Sequence, residues 1–342
     1  MEKARFGKDK NGNEIFRYTI ADGDNSLSVL NYGATIQSLK VKNKQGKLVD
    51  VVLGFDNLSQ YEKEEGRTYF GAVCGRVANR IKGGHFFVDA VEYSLAQNDK
   101  GNCLHGGADG FDKQFFDLTD AGDNYMVFSY LSDDGQEGFP GCLGLSVRYT
   151  FSRGLLLIEY SAATTKTCPV SITNHSYFNL EGKGDIKSCR LQLNSKFYME
   201  IDDKGVANGR VLPTIDTDFD FSAPTMLGQR ISSQKEKRPT IKGIDHYFFC
   251  DNGITEYRRF GTLCAADDSL KMDIFTDQAG AQIYTGNYIP TMVAKSVELY
   301  ENSGICIETH QPPSSLEFSH LPSMLLKKGE KYHHKTAYKF YF

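Results

Sequence analysis

Residues 144–151 read GLSVRYTF, residues 155–164 read LLLIEYSAAT, and only a Ser-Arg-Gly turn separates them. Both runs repeat with a period of two, with Val147, Tyr149 and Phe151 on one side of the first and Ile158, Tyr160 and Ala162 on one side of the second. Such a repeat sends successive side chains to opposite faces of a β-strand. Two such runs across a short glycine-containing turn form a hairpin. A helical core would instead need apolar residues three and four apart.

The same period returns along the chain. HFFVDAVEYSLA (85–96) reads as two short strands around Asp89-Ala90. RLQLNSKFYMEID (190–202), LKMDIFTD (270–277) and AQIYTGN (281–287) read as further strands, and KTAYKFYF (335–342) ends in a sheet. Helical windows are few and short; NLSQYEKEEG (57–66) is the best, with Asn57 as its N-cap. The 33 glycines fall mostly at strand boundaries. Many short strands with frequent turns predict an all-β fold, a sandwich or a barrel. No internal repeat or Pro/Ser/Gly-rich linker divides the sequence, so residues 1–342 read as a single domain.

The net charge is −4, which argues against nucleic acid or an anionic membrane as a partner. The first residues, MEKARFGKDKNGNEIFRY, are charged and lack the apolar region of a signal peptide. No stretch approaches the roughly 18 apolar residues of a membrane span. The expected location is cytoplasmic. The eight cysteines are scattered without a C-x-x-C pair and read as reduced thiols. The eight histidines show no H-E-x-x-H and no zinc spacing, so the chemistry is expected to need no metal.

Six polar clusters interrupt the apolar pattern. GAVCGRVANRIKGGHF (71–86) offers Asn79 and Arg80 as neighbouring donors for hydroxyl groups, although its arginines read equally as structural. In NDKGNCLHGGADGFDKQFFD (98–117), two glycines after His105 would let a ligand approach the backbone. TNHSYFNLEG (173–182) places His175 after an apolar run, either as a reagent or as a histidine bonded to the backbone. GIDHYFFC (243–250) sets Asp245 and His246 between apolar flanks, one of them turned inward. QIYTGN (282–287) contains Gln282. In GICIETHQPPSSLEF (304–318), Glu308 follows Ile305–Ile307 and is carried to a strand end, where desolvation raises a carboxyl pKa; a capping or salt-bridged role fits equally. The inventory suits proton transfer on a polyhydroxy substrate. No Ser-His-Asp motif, phosphate loop or G-x-G-x-x-G fingerprint accompanies it.

The ordered series GRVANRI, NCLHGGADGFDK, DGQEGFPG, TNHSYFNLEG, GIDHYF, QIYTGN and CIETHQPP resembles the aldose 1-epimerases, or galactose mutarotases, over about residues 71–318. The resemblance implies a large antiparallel β-sandwich of the galactose mutarotase-like type. It implies Glu308 as catalytic base and His175 as catalytic acid, on opposite sides of the reacting atoms. It implies substrate contacts from Asn79, Arg80, His105, Tyr177, Asp245 and Gln282. The expected substrate is a free aldohexose, with no cofactor, in a monomer or weak homodimer. Alternatives are a hexose-6-phosphate epimerase of the same superfamily, a non-catalytic carbohydrate-binding protein, or a glycosidase using Asp245 and Glu308. Two departures stand out. A tryptophan usual after GFDK is replaced by Phe116, and the usual Gln-then-His after the catalytic glutamate reads His310-Gln311. Both are expected to reshape the rim of the sugar cleft.

Overall fold

The computed structural model describes residues 1–64, 66–251 and 256–341. The helix window 57–66 and the tail strand 335–342 each include one residue, 65 and 342, outside the described residues. Three antiparallel sheets carry the architecture. The first five strands, from Glu2–Lys8 to Leu48–Asp50, pair in chain order. A nine-stranded sheet runs through Tyr125–Ser132, Leu143–Ser152, Leu155–Thr164, Tyr332–Tyr341, Lys271–Thr276 and Arg258–Cys264 at its centre. A six-stranded sheet orders Tyr177–Phe178, Ile305–His310, Gly280–Tyr284, Asp245–Phe249, Phe197–Ile201 and Ala207–Pro213. This is the expected antiparallel β-sandwich.

The hairpin of residues 143–164 closes through Arg153 and Gly154 at φ 52° and 67°. Positive φ at both central residues gives the turn a twist that matches the paired strands. Asp89 and Ala90, at 50° and 61°, do the same for His85–Val88 and Val91–Ser94. The segment 190–202 is not one strand. Arg190–Leu193 joins the nine-stranded sheet and Phe197–Ile201 the six-stranded one, so the chain crosses between layers at Asn194–Lys196.

The helix expected near Asn57 is a single turn, Leu58–Tyr61, with Asn57 Oδ1 accepting from the Gln60 amide at 3.3 Å. The longest helix, Leu227–Lys237, was not foreseen. Its window, LGQRISSQKEK, buries only Leu227, Ile231 and Gln234 and carries a weak apolar stripe.

The six-stranded sheet positions the site. Ile305 and Ile307 face the main core, where Tyr338 packs on Phe178 and donates its hydroxyl to the Ile307 carbonyl at 2.9 Å. Cys306 and Glu308 therefore face the other way. Gln282 lies directly opposite Glu308 across the strand pair, Asp245 opposite Tyr284, and Tyr177 opposite Cys306. Directly opposed residues share a face. The pleat alone thus gathers Tyr177, Asp245, Gln282, Tyr284 and Glu308 on one surface.

Candidate active site

The opposite wall comes from irregular backbone. Cys103–Leu104 pairs with Arg80–Ile81, which brings His105 beside Asn79. The two residues clasp each other. The His105 amide donates to the Asn79 carbonyl at 3.0 Å, and the Asn79 amide donates to His105 Nδ1 at 3.3 Å. Tyr69, Asn79 and His105 hold φ of 58°, 64° and 51°. For non-glycine residues such backbone costs about 1–3 kcal/mol each and persists where surroundings enforce it, often at functional sites.

The two glycines after His105 have a different use from the one expected. A Cβ at Gly106 would lie 1.8 Å from the Gly75 carbonyl oxygen, and one at Gly107 would lie 2.1 Å from a Glu137 carboxylate oxygen. They let neighbouring loops pack against this one, and neither lines the cavity.

Within TNHSYFNLEG the labour divides by side. Asn174 donates to the Gly71 carbonyl at 2.7 Å and Asn179 to the Ser303 carbonyl at 2.8 Å, so the asparagines pin the backbone. The His175 amide donates to Ala72 O at 2.8 Å, and the Gly71 amide to His175 O at 3.0 Å. His175 and Tyr177, two apart, turn to the cavity.

That cavity has a volume of about 290 Å³ and is lined by all eight residues singled out from sequence: Asn79, Arg80, His105, His175, Tyr177, Asp245, Gln282 and Glu308. The volume lies at the low end of small-molecule sites, roughly 300–1,000 Å³. A larger cavity, about 670 Å³, lies against the five-stranded sheet. It holds the Lys295–Asp50 pair at 2.9 Å but no histidine, so it lacks an imidazole to work with a carboxyl group.

At the floor of the smaller cavity, His175 Nε2 lies 3.5 Å from Glu308 Oε1. Both side chains are almost wholly buried, at 4% and 3% exposure. The pair is adjacent rather than spread across the cavity as expected. His175 Nδ1 faces Cys306 Sγ at 3.5 Å. Burial, helped by the Asp245 carboxylate, pushes the Glu308 carboxyl well above its ordinary range, while Arg80 opposes that shift. Burial pushes the His175 imidazole down to about 4 and holds His105 well below the usual range. The expected ion pair of glutamate and imidazolium is thus disfavoured against a neutral pair with the same single proton.

Around this floor, Gln282 donates to Asp245 Oδ1 at 2.6 Å. Arg80 donates to Asp99 Oδ2 at 2.7 Å and lies 3.9 Å from Asp245. Burial opposes the Arg80 charge, but Asp245 and Asp99 outweigh it and raise its pKa. Burial also raises Asp245, against Arg80 and Gln282. Glu308 Oε2 and Gln282 Oε1 are buried acceptors without a partner among the described residues. Such acceptors call for hydroxyl donors.

Sequence reasoning missed Arg67, Tyr69, Asp99, Lys100, Leu104, Tyr284 and Tyr288, which complete the lining. Tyr284 stands two residues from Gln282, so strand periodicity alone signals its face. Tyr69 stacks near His175 and His105, with ring centroids 5.7 and 4.7 Å away, and the Arg67 guanidinium covers it at 4.4 Å. Arg67 is itself held by Asp112 through three hydrogen bonds, the one from Nε to Oδ2 being 2.9 Å. Nothing in the sequence near Tyr69 marks its left-handed backbone. Asp245 and His246 are both buried: Asp245 lines the cavity, and His246 packs against Phe219 at 4.2 Å.

The two departures do not shape the rim. Phe116 is fully buried, 5.2 Å from Tyr130, and His310 is fully buried on the same strand face as Glu308, against Tyr247, with Nδ1 at 2.6 Å from its neighbour's carbonyl, Gln311 O. Neither lines the cavity, whose mouth is formed by Lys100, Asp99 and the half-exposed Tyr288.

A sandwich of antiparallel sheets that buries a carboxyl–imidazole pair in a polar cavity fits the class of sugar isomerases. The profile describing aldose 1-epimerase matches residues 17–339, and the chain belongs to that family. It is similar to the galactose mutarotase of Rattus norvegicus, 38% identical over 96% of this chain and 95% of the relative, and to that of Bos taurus, 39% identical over 95% and 94%. In fold it is similar to the GalM/aldose epimerase homologue from C. elegans, with a TM-score of 0.88 at 24% identity over 95% of this chain and 98% of the other.

Proposed function

We propose that this aldose 1-epimerase interconverts the α and β anomers of free hexoses such as D-galactose and D-glucose. The observation that carries the reading is the buried contact of His175 Nε2 with Glu308 Oε1, 3.5 Å apart on the cavity floor. Mutarotation opens the ring to an aldehyde, rotates the C1–C2 bond and recloses the ring on the other carbonyl face. Opening takes a proton from the O1 hydroxyl and gives one to the ring oxygen O5. Both oxygens are bonded to C1, so two proton-transferring groups in direct contact suit the task. Glu308 takes the O1 proton and His175 delivers one to O5; closure reverses the exchange. Each transfer contributes roughly 10²–10⁴-fold.

The pair carries one proton in either arrangement, on Glu308 at rest or on His175 when Glu308 acts as base. Asn79, Arg80, His105, Asp245 and Gln282 grip the remaining hydroxyls, and Tyr177 walls the ring. No NAD, metal or phosphate enters the scheme. The arginines speak against a hexose 6-phosphate: Arg67 is engaged by Asp112 and Arg80 by Asp99 and Asp245, which leaves Lys100 as the cavity's remaining cation among the described residues. We further propose a single domain acting in the cytoplasm as a monomer or weak homodimer, without nucleic-acid or membrane partners. No helix of the described residues is long and apolar enough to cross a membrane.

Polarimetry of freshly dissolved α-D-galactose and α-D-glucose tests the proposal. Accelerated approach to anomeric equilibrium is the expected result. Activity confined to hexose 6-phosphates, or release of aglycone from nitrophenyl glycosides, would overturn it.

A further inference from the structure

A neutral imidazole carries one proton, and the nitrogen that holds it decides whether the other can receive one. The two histidines of the cavity differ in this respect. At His105 the Asn79 amide donates to Nδ1 at 3.3 Å. A nitrogen that accepts has no proton of its own, so the ring proton sits on Nε2. Burial keeps this ring neutral. His105 therefore offers the cavity an N–H donor and no lone pair.

His175 is held the other way round. Its Nε2 faces Glu308 Oε1 and its Nδ1 faces Cys306 Sγ, each at 3.5 Å. Cys306 and Glu308 stand two apart on the strand Ile305–His310 and share a face, so one strand supplies a partner to each nitrogen of the ring. Burial leaves the single proton of the pair on Glu308. A protonated carboxyl donates, so Nε2 accepts and the ring proton sits on Nδ1, directed at the sulfur.

We propose that the Asn79 amide and the Cys306 sulfur hold the two imidazoles in opposite tautomers, so that His175 alone exchanges a proton with Glu308 while His105 only donates a hydrogen bond to the sugar. The tautomers are properties of the free protein; their use rests on the function proposed above. The Glu308 proton first passes to His175 Nε2 and leaves a carboxylate beside an imidazolium. The carboxylate then takes the O1 proton as Nε2 gives its proton to O5; the C1–O5 bond breaks and the C1=O1 bond forms. Glu308 is protonated and His175 neutral again, which is the resting arrangement, and closure runs the same steps backwards. With the His175 proton on Nε2 instead, the first transfer has no lone pair to enter.

Cys306 is thus a positioning residue. Burial, helped by Glu308, pushes its thiol well up, so the sulfur stays uncharged. An uncharged acceptor orients the ring without the pull of the buried carboxylate that stabilises the imidazolium of a Ser-His-Asp triad. An epimerase works in both directions, and its imidazole must release the proton as readily as it takes it. The competing account gives the Nδ1 proton to the ring's own backbone carbonyl, which already accepts the Gly71 amide at 3.0 Å.

NMR of protein labelled with ¹⁵N at histidine reads the tautomers at pH 7, with His105→Gln and His175→Gln assigning the signals. The expected result is Nε2–H at His105 and Nδ1–H at His175. The opposite tautomer at either ring, or a doubly protonated His175, would overturn the proposal. In Cys306→Ala, His175 should show both tautomers, and kcat should fall roughly fivefold or more at unchanged KM, the worth of one hydrogen bond. Cys306→Ser keeps an acceptor and should restore both readings. A wild-type tautomer and kcat in Cys306→Ala would assign the Nδ1 proton to the carbonyl and overturn the role of Cys306. Polarimetry on galactose should show a loss of kcat about tenfold or more smaller in His105→Gln, which keeps a donor, than in His175→Gln, which cannot exchange a proton. Equal losses would overturn the division of labour. If the wild-type protein does not accelerate mutarotation, the functional reading fails, while the NMR still decides the tautomers. Circular dichroism of each variant separates a lost contact from a lost fold.

Discussion

Replacing Glu308 by Gln exchanges one oxygen for a nitrogen at the centre of the proposed chemistry. The side chain is buried, faces His175 at 3.5 Å and leaves Oε2 without a partner among the described residues. Glutamine fills the same space but cannot accept the O1 proton. The value of general base catalysis, roughly 10²–10⁴-fold, sets the expected loss in kcat, or about 2.7–5.4 kcal/mol of barrier. Stability should move the other way. A carboxyl whose folded pKa is raised above its unfolded value opposes folding once the pH exceeds the unfolded value of about 4.3. Glu308→Gln removes that penalty, so the variant's Tm should exceed wild type at pH 7–8, with the gap closing toward pH 4. The assays are polarimetry at saturating galactose and differential scanning calorimetry across pH. Near-wild-type kcat would refute the base assignment. A lower Tm at pH 7 would refute the view of Glu308 as a strained, functional group.

His175→Asn should remove most activity together with the alkaline limb of the kcat/KM profile; survival of that limb would transfer the acid role to His105. Because the His175 imidazole sits near 4 and Glu308 is raised, the single-proton pair spans neutrality, and the acid limb of the wild-type profile should fall near 4 rather than near 6.5. Glucose and galactose should both turn over, galactose better by no more than about tenfold in kcat/KM, or ~1.4 kcal/mol, and EDTA should leave the rate of metal-free protein unchanged; polarimetry reads both. His246, held down to about 3 by burial, stays neutral in the folded chain while the unfolded chain takes up a proton below about 6.5. Stability should therefore fall as pH drops from about 6.5 toward 3, and His246→Phe should flatten that slope in thermal melts between pH 4 and 7.

Legibility in the sequence followed chain locality. Strands with a clean period of two, such as Leu143–Ser152 and Leu155–Thr164, were readable because each side chain's face depends only on its neighbours. Glu308 and Asp245 were readable as polar interruptions of apolar strands, Gln282 was unremarkable by itself, and the resemblance gave all three their expected roles. The crossing at Asn194–Lys196 was not readable, because a continuous strand and two strands in different sheets carry the same local pattern. Helix Leu227–Lys237 was hidden by its mostly polar surface. Tyr69, Arg67 and Lys100 reach the cavity through loop paths that tertiary packing enforces, so no spacing marks them. The same limit misplaced Phe116 and His310, which sequence adjacency put at the rim and packing put behind it.

The strand Ile305–His310 has consequences for how this molecule can change. Its isoleucines fasten two layers together while Glu308, one position over, does the proposed proton transfer. Shifting the strand by one residue would put a charge into the core and an isoleucine into the sugar. Insertions and deletions are therefore barred there, and substitutions nearly so. The mouth at Asp99, Lys100 and Tyr288 hangs on loops that bear no such double duty. Attempts to redirect the protein to other aldoses should diversify those loops first and leave the strand fixed, since changes at the mouth leave the groups of the proposed proton transfer in place.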